Sequence, residues 1–531
     1  MKNKPIQRLV FGVKLTLIGL CIAVISFSLP LIKQSTAAAS TTKSYYLPFI
    51  AKSSPYDWLQ FSGDASHSGS NMLENRISVT SVGQLQMLFQ VILPDTADGA
   101  PVYLSHVSTA SGSHDLIFVT TRDGHIAALD AHTGTLIWSK QYGSAGCLIN
   151  NDKTRNEPCY TTSSPAIDPN REFVYSYGLD GYVHKYAVGD GTEILTGGWP
   201  ELSTLKGYDE KGSSALSIAT DANGTSYLYV AHAGYPGDQG NYQGHITAIN
   251  LADGTQKVFN TLCSNQTVHF VDSRVTTGPD CNPETTAAIW ARPGVIYDPY
   301  HDRILMSTGN GTFLPANFLW GDTVFSLNPD GSVSGGSPLD SYTPSNYQYL
   351  QDMDLDLGST APAILPPASG KYPHLAVQGG KDGVLRLINL NQLSGQSGVG
   401  HTGGEVFSMA VPMGGAIFTQ PAIWVNPTDH SIWTFVSNSF GVAGLQLSIS
   451  PAGDPSLIVK WTAVGGTSPL IANGVLFIAH GGLTTALNAT DGSLLWSDNR
   501  IGQIHWESPI VVNGVLYITD QDGNLTAYSL P

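Results

Sequence analysis

The stretch Ile117-Phe-Val-Thr-Thr-Arg-Asp-Gly-His-Ile-Ala-Ala-Leu-Asp-Ala-His-Thr-Gly-Thr-Leu-Ile-Trp138 decides the architecture. It reads as an apolar strand, an Asp-Gly turn, an alternating strand, a second Gly turn and a third strand ending in Trp. The chain repeats it as Val475-Leu-Phe-Ile-Ala-His-Gly-Gly-Leu-Thr-Thr-Ala-Leu-Asn-Ala-Thr-Asp-Gly-Ser-Leu-Leu-Trp496. The turn and following strand recur at Asp180, Gln243, Gly321, Asp382, Phe440 and Asp522, which makes eight copies. Each alternates apolar and polar residues, as a half-buried antiparallel strand does. Asp-Gly and Gly-Gly pairs supply the positive φ of tight hairpin turns. Strand–turn–strand repeats spaced by about 40–60 residues mark a β-propeller. The reading is all-β, an eight-bladed β-propeller of four-stranded antiparallel blades over residues 57–531.

The ends of the chain complement each other. The last copy stops at Pro531 before its outer strand, and an isolated strand at 85–93 can supply it. A ring closed in this way leaves only short edges exposed.

Lys2, Lys4, Arg8 and Lys14 precede an apolar run over 15–32 and the small residues Ala37-Ala38-Ala39. This is the layout of a secretory signal over 1–39 with a cut after Ala39. If uncleaved, the run would tether the protein to a membrane. Residues 40–56 read as a linker. Removing the signal leaves 20 of the 25 basic residues against 41 acidic ones, a formal charge of −21. Such a balance disfavours nucleic acid and anionic membrane surfaces as partners. Four cysteines remain in the exported part, in two local pairs, Cys147 with Cys159 and Cys263 with Cys281, and are expected as disulfides.

Three further segments stand out: 289–299 leading to Met306-Ser-Thr-Gly-Asn310, then Asp352-Met-Asp-Leu-Asp-Leu-Gly-Ser-Thr360, then Gly379-Gly-Lys-Asp-Gly-Val384. The repeat and these segments, in this order and spacing, resemble the quinoprotein alcohol dehydrogenases, which carry the pyrroloquinoline-quinone (PQQ) repeat. The resemblance implies PQQ and Ca²⁺ as cofactors, a small alcohol as substrate and a separate electron acceptor. PQQ is a flat ortho-quinone with three carboxylates. It needs a hard cation on oxygen ligands, a carboxylate base, a cation near the quinone oxygens and an aromatic floor. By resemblance, Asn310 is the amide ligand to the metal and Asp356 both a metal ligand and the catalytic base, with Asp354 as the alternative base. Lys381 lies over the quinone, in the catalytic group as well as the cofactor-binding one, and Trp290 is the stacking residue.

The chain departs from the family in places. The stretch 230–245 lacks the family's metal-binding Glu, leaving Asp238 or Gln239 to stand in, and the adjacent-cysteine pair is absent. No CxxCH is present for a covalent haem. The acids at 352, 354 and 356 are expected on one strand face. His184 and His232 read as satisfied structural residues, and no His pair has zinc-ligand spacing. Loops at 144–165, 261–285 and 312–350 are expected to shape one mouth of the channel. A second reading stays open: a non-catalytic propeller binding a protein or carbohydrate on one face.

Overall fold

Eight small antiparallel sheets make up the propeller. In this computed structural model residues 55–143, 159–235 and 240–531 are described. The expected signal segment, nearly all of the expected linker, Cys147, Asp238 and Gln239 lie outside them. No helix among the described residues is long and apolar enough to cross a membrane.

Blade 1 consists of Val102–Thr109, Gly112–Thr120, His125–Asp130 and Leu136–Gln141. Its Asp123-Gly124 turn needs glycine twice over. Gly124 has φ +85°, and a Cβ there would stand 2.4 Å from the Tyr142 carbonyl oxygen. Blades 2 to 7 follow at 166–202, 210–260, 296–342, 363–410, 422–463 and 470–498. Blade 8 combines 510–529 with Gln86–Ile92, which pairs antiparallel with Asn524–Ser529 as its outermost strand. All eight repeated turns of the sequence fall between the second and third strands of a blade.

The Trp that closes a repeat ties its blade to the next. Trp138 Nε1 of blade 1 donates to the Val188 carbonyl in blade 2 (2.9 Å). Trp461 of blade 6 reaches Ala489 of blade 7 (2.9 Å), and Trp496 of blade 7 reaches Leu85, beside the outer strand of blade 8 (3.2 Å). Buried indoles with a satisfied N–H are what a large aromatic at a blade edge requires. Cys263 and Cys281 form the expected disulfide, with Cα atoms 5.9 Å apart.

One feature was not foreseen. The segment 58–71 runs as a strap across the innermost strands of the blades. Trp58 bridges Tyr103 of blade 1, and Leu59 accepts from Ile167 of blade 2 (2.8 Å). Gln60 exchanges two bonds with Ile218 of blade 3, at 2.7 and 3.1 Å. Ala65 accepts from Tyr297 of blade 4, Ser68 from Ile423 of blade 6 and Gly69 from Ile471 of blade 7 (2.8–2.9 Å). Asn71 donates to Val511 of blade 8 (2.6 Å). The strap satisfies inner-strand groups that would otherwise line the channel bare. It covers the end of the channel at which the inner strands finish.

Candidate active site

The free end of the channel holds a cavity of about 350 Å³, and the inner strands set its lining. Thr162, Ser213, Arg292, Ser359, Phe418 and Trp506 all face it. Each stands five residues before an inner-strand residue: Ile167, Ile218, Tyr297, Ile364, Ile423 and Val511. All but Ile364 meet the strap. Five extended residues span about 16 Å, so the cavity and the strap sit at opposite ends of one channel.

Four residues chosen from the sequence, Trp290, Asp354, Asp356 and Lys381, line this one cavity. Lys381 Nζ lies 3.1 Å from Asp354 Oδ1 and in close contact with Asp356 Oδ2. The Lys381 backbone N–H also donates to the Asp356 carbonyl (3.0 Å). Asn310 sits behind the pair. Its backbone N–H donates to Asp356 Oδ1 (2.6 Å) and its Nδ2 to Asp354 Oδ1 (2.9 Å). Its Oδ1 is buried and has no partner. The approach depends on Gly309, where a Cβ would lie 2.1 Å from Asp356 Oδ1 and 2.9 Å from Trp290 Cδ1. Trp290 meets Tyr242 edge to face, with centroids 6.0 Å apart.

The expectation of three acids on one strand face is corrected. Tyr347–Asp352 is a short helix, and the chain turns through Asp354 at φ 53° into the 3-10 turn Leu357–Ser359. Asp352 accepts from Gln348 on the helix (2.9 Å) and does not line the cavity. Alternation in sequence gave the strand reading, but the helix and the positive-φ turn break the period of two. The loop expectation holds in part, because the cavity takes Tyr160 and Thr162 from 144–165 and none of its lining from 261–285 or 312–350.

The electrostatics follow from burial. Burial raises the Asp356 carboxyl, and Lys381 and the Asn310 N–H only partly offset it. Burial alone would lower Lys381, but the carboxylates of Asp356 and Asp354 raise it overall. Asp322, which the sequence did not single out, is 1% exposed. Its Oδ1 accepts from the Leu357 N–H (3.0 Å) and its Oδ2 has no partner. Burial, then the charges of Asp356 and Asp382, push it up to about 8, so it is mostly protonated at neutral pH.

A second group of cations also escaped the sequence reading. Lys211 Nζ bonds Thr162 Oγ1 and Ser213 Oγ (3.2 and 3.3 Å). Burial and the neighbouring Arg292 and Arg122 lower it to about 7. Arg292, 4% exposed, donates to the carbonyls of Ser213, Asp98 and Thr162 (2.7–3.1 Å), while its buried Nε has no partner. Its guanidinium lies 5.9 Å from the Trp506 ring centroid. A signal for these positions exists. Six inner strands open on a proline two residues before the five-spaced position: Pro101, Pro165, Pro362, Pro421, Pro469 and Pro509. Counting back three residues from Pro165, Pro362, Pro421 and Pro509, or one from Pro293, finds Thr162, Ser359, Phe418, Trp506 and Arg292, while Lys211 and Ser213 escape the rule.

The family model described as outer membrane protein assembly factor BamB, a PQQ-repeat family, matches residues 90–277 and 424–530, more than half of the chain. The chain belongs to this family. Its fold is shared with solved quinoprotein structures. A europium-containing methanol dehydrogenase superposes with a TM-score of 0.61 at 14% identity, covering 90% of this chain and 99% of the other. Quinohemoprotein alcohol dehydrogenase ADHIIG from Pseudomonas putida HK5 gives 0.60 at 14% identity, covering 89% and 80%. The quinohemoprotein alcohol dehydrogenase from Comamonas testosteroni gives 0.58, also at 14%. No curated relative matches by sequence. For this PQQ-repeat propeller, identities so low speak to the fold.

The donors present fit the group that the family resemblance implies. The unpartnered Asn310 Oδ1 and the carboxylates of Asp356 and Asp354 are hard oxygen donors of the kind Ca²⁺ takes. Lys211, Arg292 and Lys381 are cations suited to a polycarboxylate, and Trp290 and Trp506 offer flat faces.

Proposed function

We propose that the cavity binds PQQ beside Ca²⁺. On this reading the protein is an exported dehydrogenase that oxidises a small alcohol and passes the electrons to a separate acceptor. The observation that carries the reading is the convergence of Trp290, Asp354, Asp356 and Lys381, drawn from three separate stretches, on one cavity with Lys211 and Arg292. When bound, the quinone supplies a two-electron acceptor for the alcohol's hydride.

The chain's own residues do the rest. Trp290 and Trp506 hold a planar ring, while Lys211 and Arg292 face carboxylates in a low-dielectric site where such pairing is strong. Lys381 places positive charge where negative charge develops on reduction. Asp356 has both oxygens engaged, by Asn310 and Lys381. Asp354 makes its described hydrogen bonds through Oδ1 alone and opens to solvent. That favours Asp354 as acceptor of the hydroxyl proton, with Asp356 fixing Lys381 and Asn310. The hydroxyl proton goes to the carboxylate, the carbon-bound hydrogen leaves with two electrons, and the carbonyl product departs. Asn310 Oδ1 and Asp356 would hold the Ca²⁺, with Asp238 outside the described residues.

One observation favours the scaffold reading. Lys381 pairs with both aspartates and so gives these carboxylates a partner of their own. Titration of the purified protein with PQQ, with and without Ca²⁺, followed by tryptophan quenching, separates the two. Saturable Ca²⁺-dependent binding that weakens in Asn310→Ala and Asp356→Ala supports the dehydrogenase. No binding well above micromolar PQQ removes it and leaves a propeller that binds a protein or carbohydrate.

A further inference from the structure

Blade 3 carries a second cluster that the cavity chemistry does not use. Glu210 lies on the strand Glu210–Gly212, His232 on Ser226–Gly234 and His245 on His245–Asn250. His232 pairs directly with His245 on one side and with Gly212 on the other. Twelve residues lie between the two histidines in sequence, yet strand pairing sets them side by side. Their rings lie face to face, with centroids 4.2 Å apart and planes 10° from parallel.

The reading of His232 as a satisfied structural residue is corrected. His184 is satisfied, by Glu193 (2.7 Å) and Asp180 (3.2 Å). His232 is 0% exposed, and neither of its ring nitrogens has a hydrogen-bond partner. The Lys211 backbone is in weak hydrogen-bonding reach of the ring, outside the geometry of a full hydrogen bond. Glu210 is also 0% exposed, and its Oε1 has no partner. Three orphaned polar atoms at one buried point are costly, since each loses its water without recovering a bond. An ion that takes one donor atom from each residue would satisfy the Glu210 oxygen and one His232 nitrogen.

We infer that Glu210, His232 and His245 form a buried site for a borderline transition-metal dication such as Zn²⁺. One donor atom from each residue lies within 4.8 Å of the others. Tetrahedral zinc ligands at about 2.0–2.1 Å stand roughly 3.3 Å apart, so small side-chain rotations close the set. His245 Nε2 donates to the Ser203 carbonyl (3.0 Å), while Nδ1 faces both Glu210 Oε2 (3.0 Å) and the Gln243 carbonyl (3.3 Å) and gives up its proton to become the ligand. An outer carbonyl fixing a ligand imidazole in this way is the usual support for a metal-bound histidine. Two imidazoles and one carboxylate suit zinc-like ions better than Ca²⁺. His269 Nδ1, buried and unpartnered in a ring 6.2 Å from His245, is a further donor nearby.

None of the three ligands lines the cavity, so the site is distinct from the proposed cofactor site. Its role follows from its strand. Glu210 and Lys211 are adjacent on a strand whose alternate residues face opposite ways, so a metal on Glu210 anchors the segment that presents Lys211 to the cavity.

The test is Co²⁺ titration of the chelator-stripped protein, read by visible d–d absorption and by bound metal per chain. One Co²⁺ per chain is expected, displaced by Zn²⁺, with affinity at least about 100-fold lower in His232→Asn and Glu210→Gln. Asn310→Ala should bind Co²⁺ as the wild type does, whatever becomes of PQQ binding. X-ray absorption of the Zn²⁺-loaded wild type needs no variant and should show two imidazoles and one carboxylate. No binding by folded wild type, an unchanged Co²⁺ spectrum in His232→Asn, or a shell without imidazole overturns the assignment.

Discussion

Replacing Lys381 by Met tests the electrostatic core of the cavity. Lys381 is the cation in contact with both Asp354 and Asp356, and the side chain of Asp356 is 6% exposed. Removing one partner of a buried pair costs about 3–5 kcal/mol when the other stays charged. Asp356 has an alternative, which is to take up a proton. Asp322, buried beside it, shows what that environment does, with its carboxyl pushed up to about 8. Without the lysine, burial raises the Asp356 carboxyl further, so the folded state comes to hold a proton that the unfolded state lacks at pH 7. Part of this is already present in the wild type, where Asp356 is raised despite the lysine. Lys381, whose side chain is 22% exposed, also loses some strength to solvent. The expected difference is therefore about 3 kcal/mol at pH 7. Its sign with pH is fixed. Above about pH 4, where the unfolded carboxylate ionises, the folded variant binds more protons than the unfolded chain, so its stability falls as pH rises. The deficit against wild type should shrink from pH 7 toward pH 5. Urea unfolding followed by tryptophan fluorescence at several pH values measures it, and Asp356→Asn in the Lys381→Met background should recover most of the loss. A single variant within about 1 kcal/mol of wild type across that range, or a double variant no better than the single, would refute the buried ion pair.

Asp322→Asn should flatten the pH dependence of stability, because it removes a carboxyl whose folded value of about 8 makes stability fall with rising pH. Unfolding between pH 5 and 7 should lose a slope of about 1.4 kcal/mol per pH unit relative to wild type. Lys211, lowered to about 7, carries its charge below that pH, so PQQ should bind more tightly at pH 6 than at pH 8. Lys211→Met should weaken binding and abolish that dependence in the quenching titration. Reducing the Cys263–Cys281 disulfide, which closes a loop with a sequence separation of 18, should lower stability by about 3 kcal/mol, readable as a shift of the urea midpoint.

The blades were legible because each repeat obeys local rules. A strand must alternate and an Asp-Gly turn must take positive φ, so Asp123-Gly124 and its counterparts announce themselves without any long-range contact. The strap was not legible, because 58–71 has no period of its own and takes its shape from the inner strands of seven blades. The cavity was half legible. Trp290, Asp354, Asp356 and Lys381 sit in segments with a family resemblance, whereas Trp506 is marked only by the proline three residues on and Lys211 by nothing local. The Glu210–His232–His245 cluster was invisible to spacing, since strand register and not sequence distance brings the two histidines together.

The distribution of charge bears on both sites. The chain has 41 acidic residues against 25 basic ones, and an anionic surface repels an anionic ligand at long range. Yet the cavity at the free mouth places Lys211, Arg292 and Lys381 together, its two acids Asp354 and Asp356 both pair with Lys381, and Asp322, outside the lining, is protonated by burial. Lys211 is the cation whose charge is least secure, because burial and two neighbouring guanidinium groups act against it. An arriving carboxylate would restore that charge, so the site strengthens its own cation only when an anion is present. The strand that carries Lys211 must then hold its place while the charge changes. Glu210, the next residue, faces the two histidines on the opposite side, and an ion bound there would fix the strand independently of what occupies the cavity. Loss of metal should therefore lower anion affinity at the mouth without moving Lys381 or Asp356, and PQQ titration of the stripped and Zn²⁺-loaded protein compares the two directly. Equal affinities would separate the metal from the cavity and leave it a purely structural ion of blade 3.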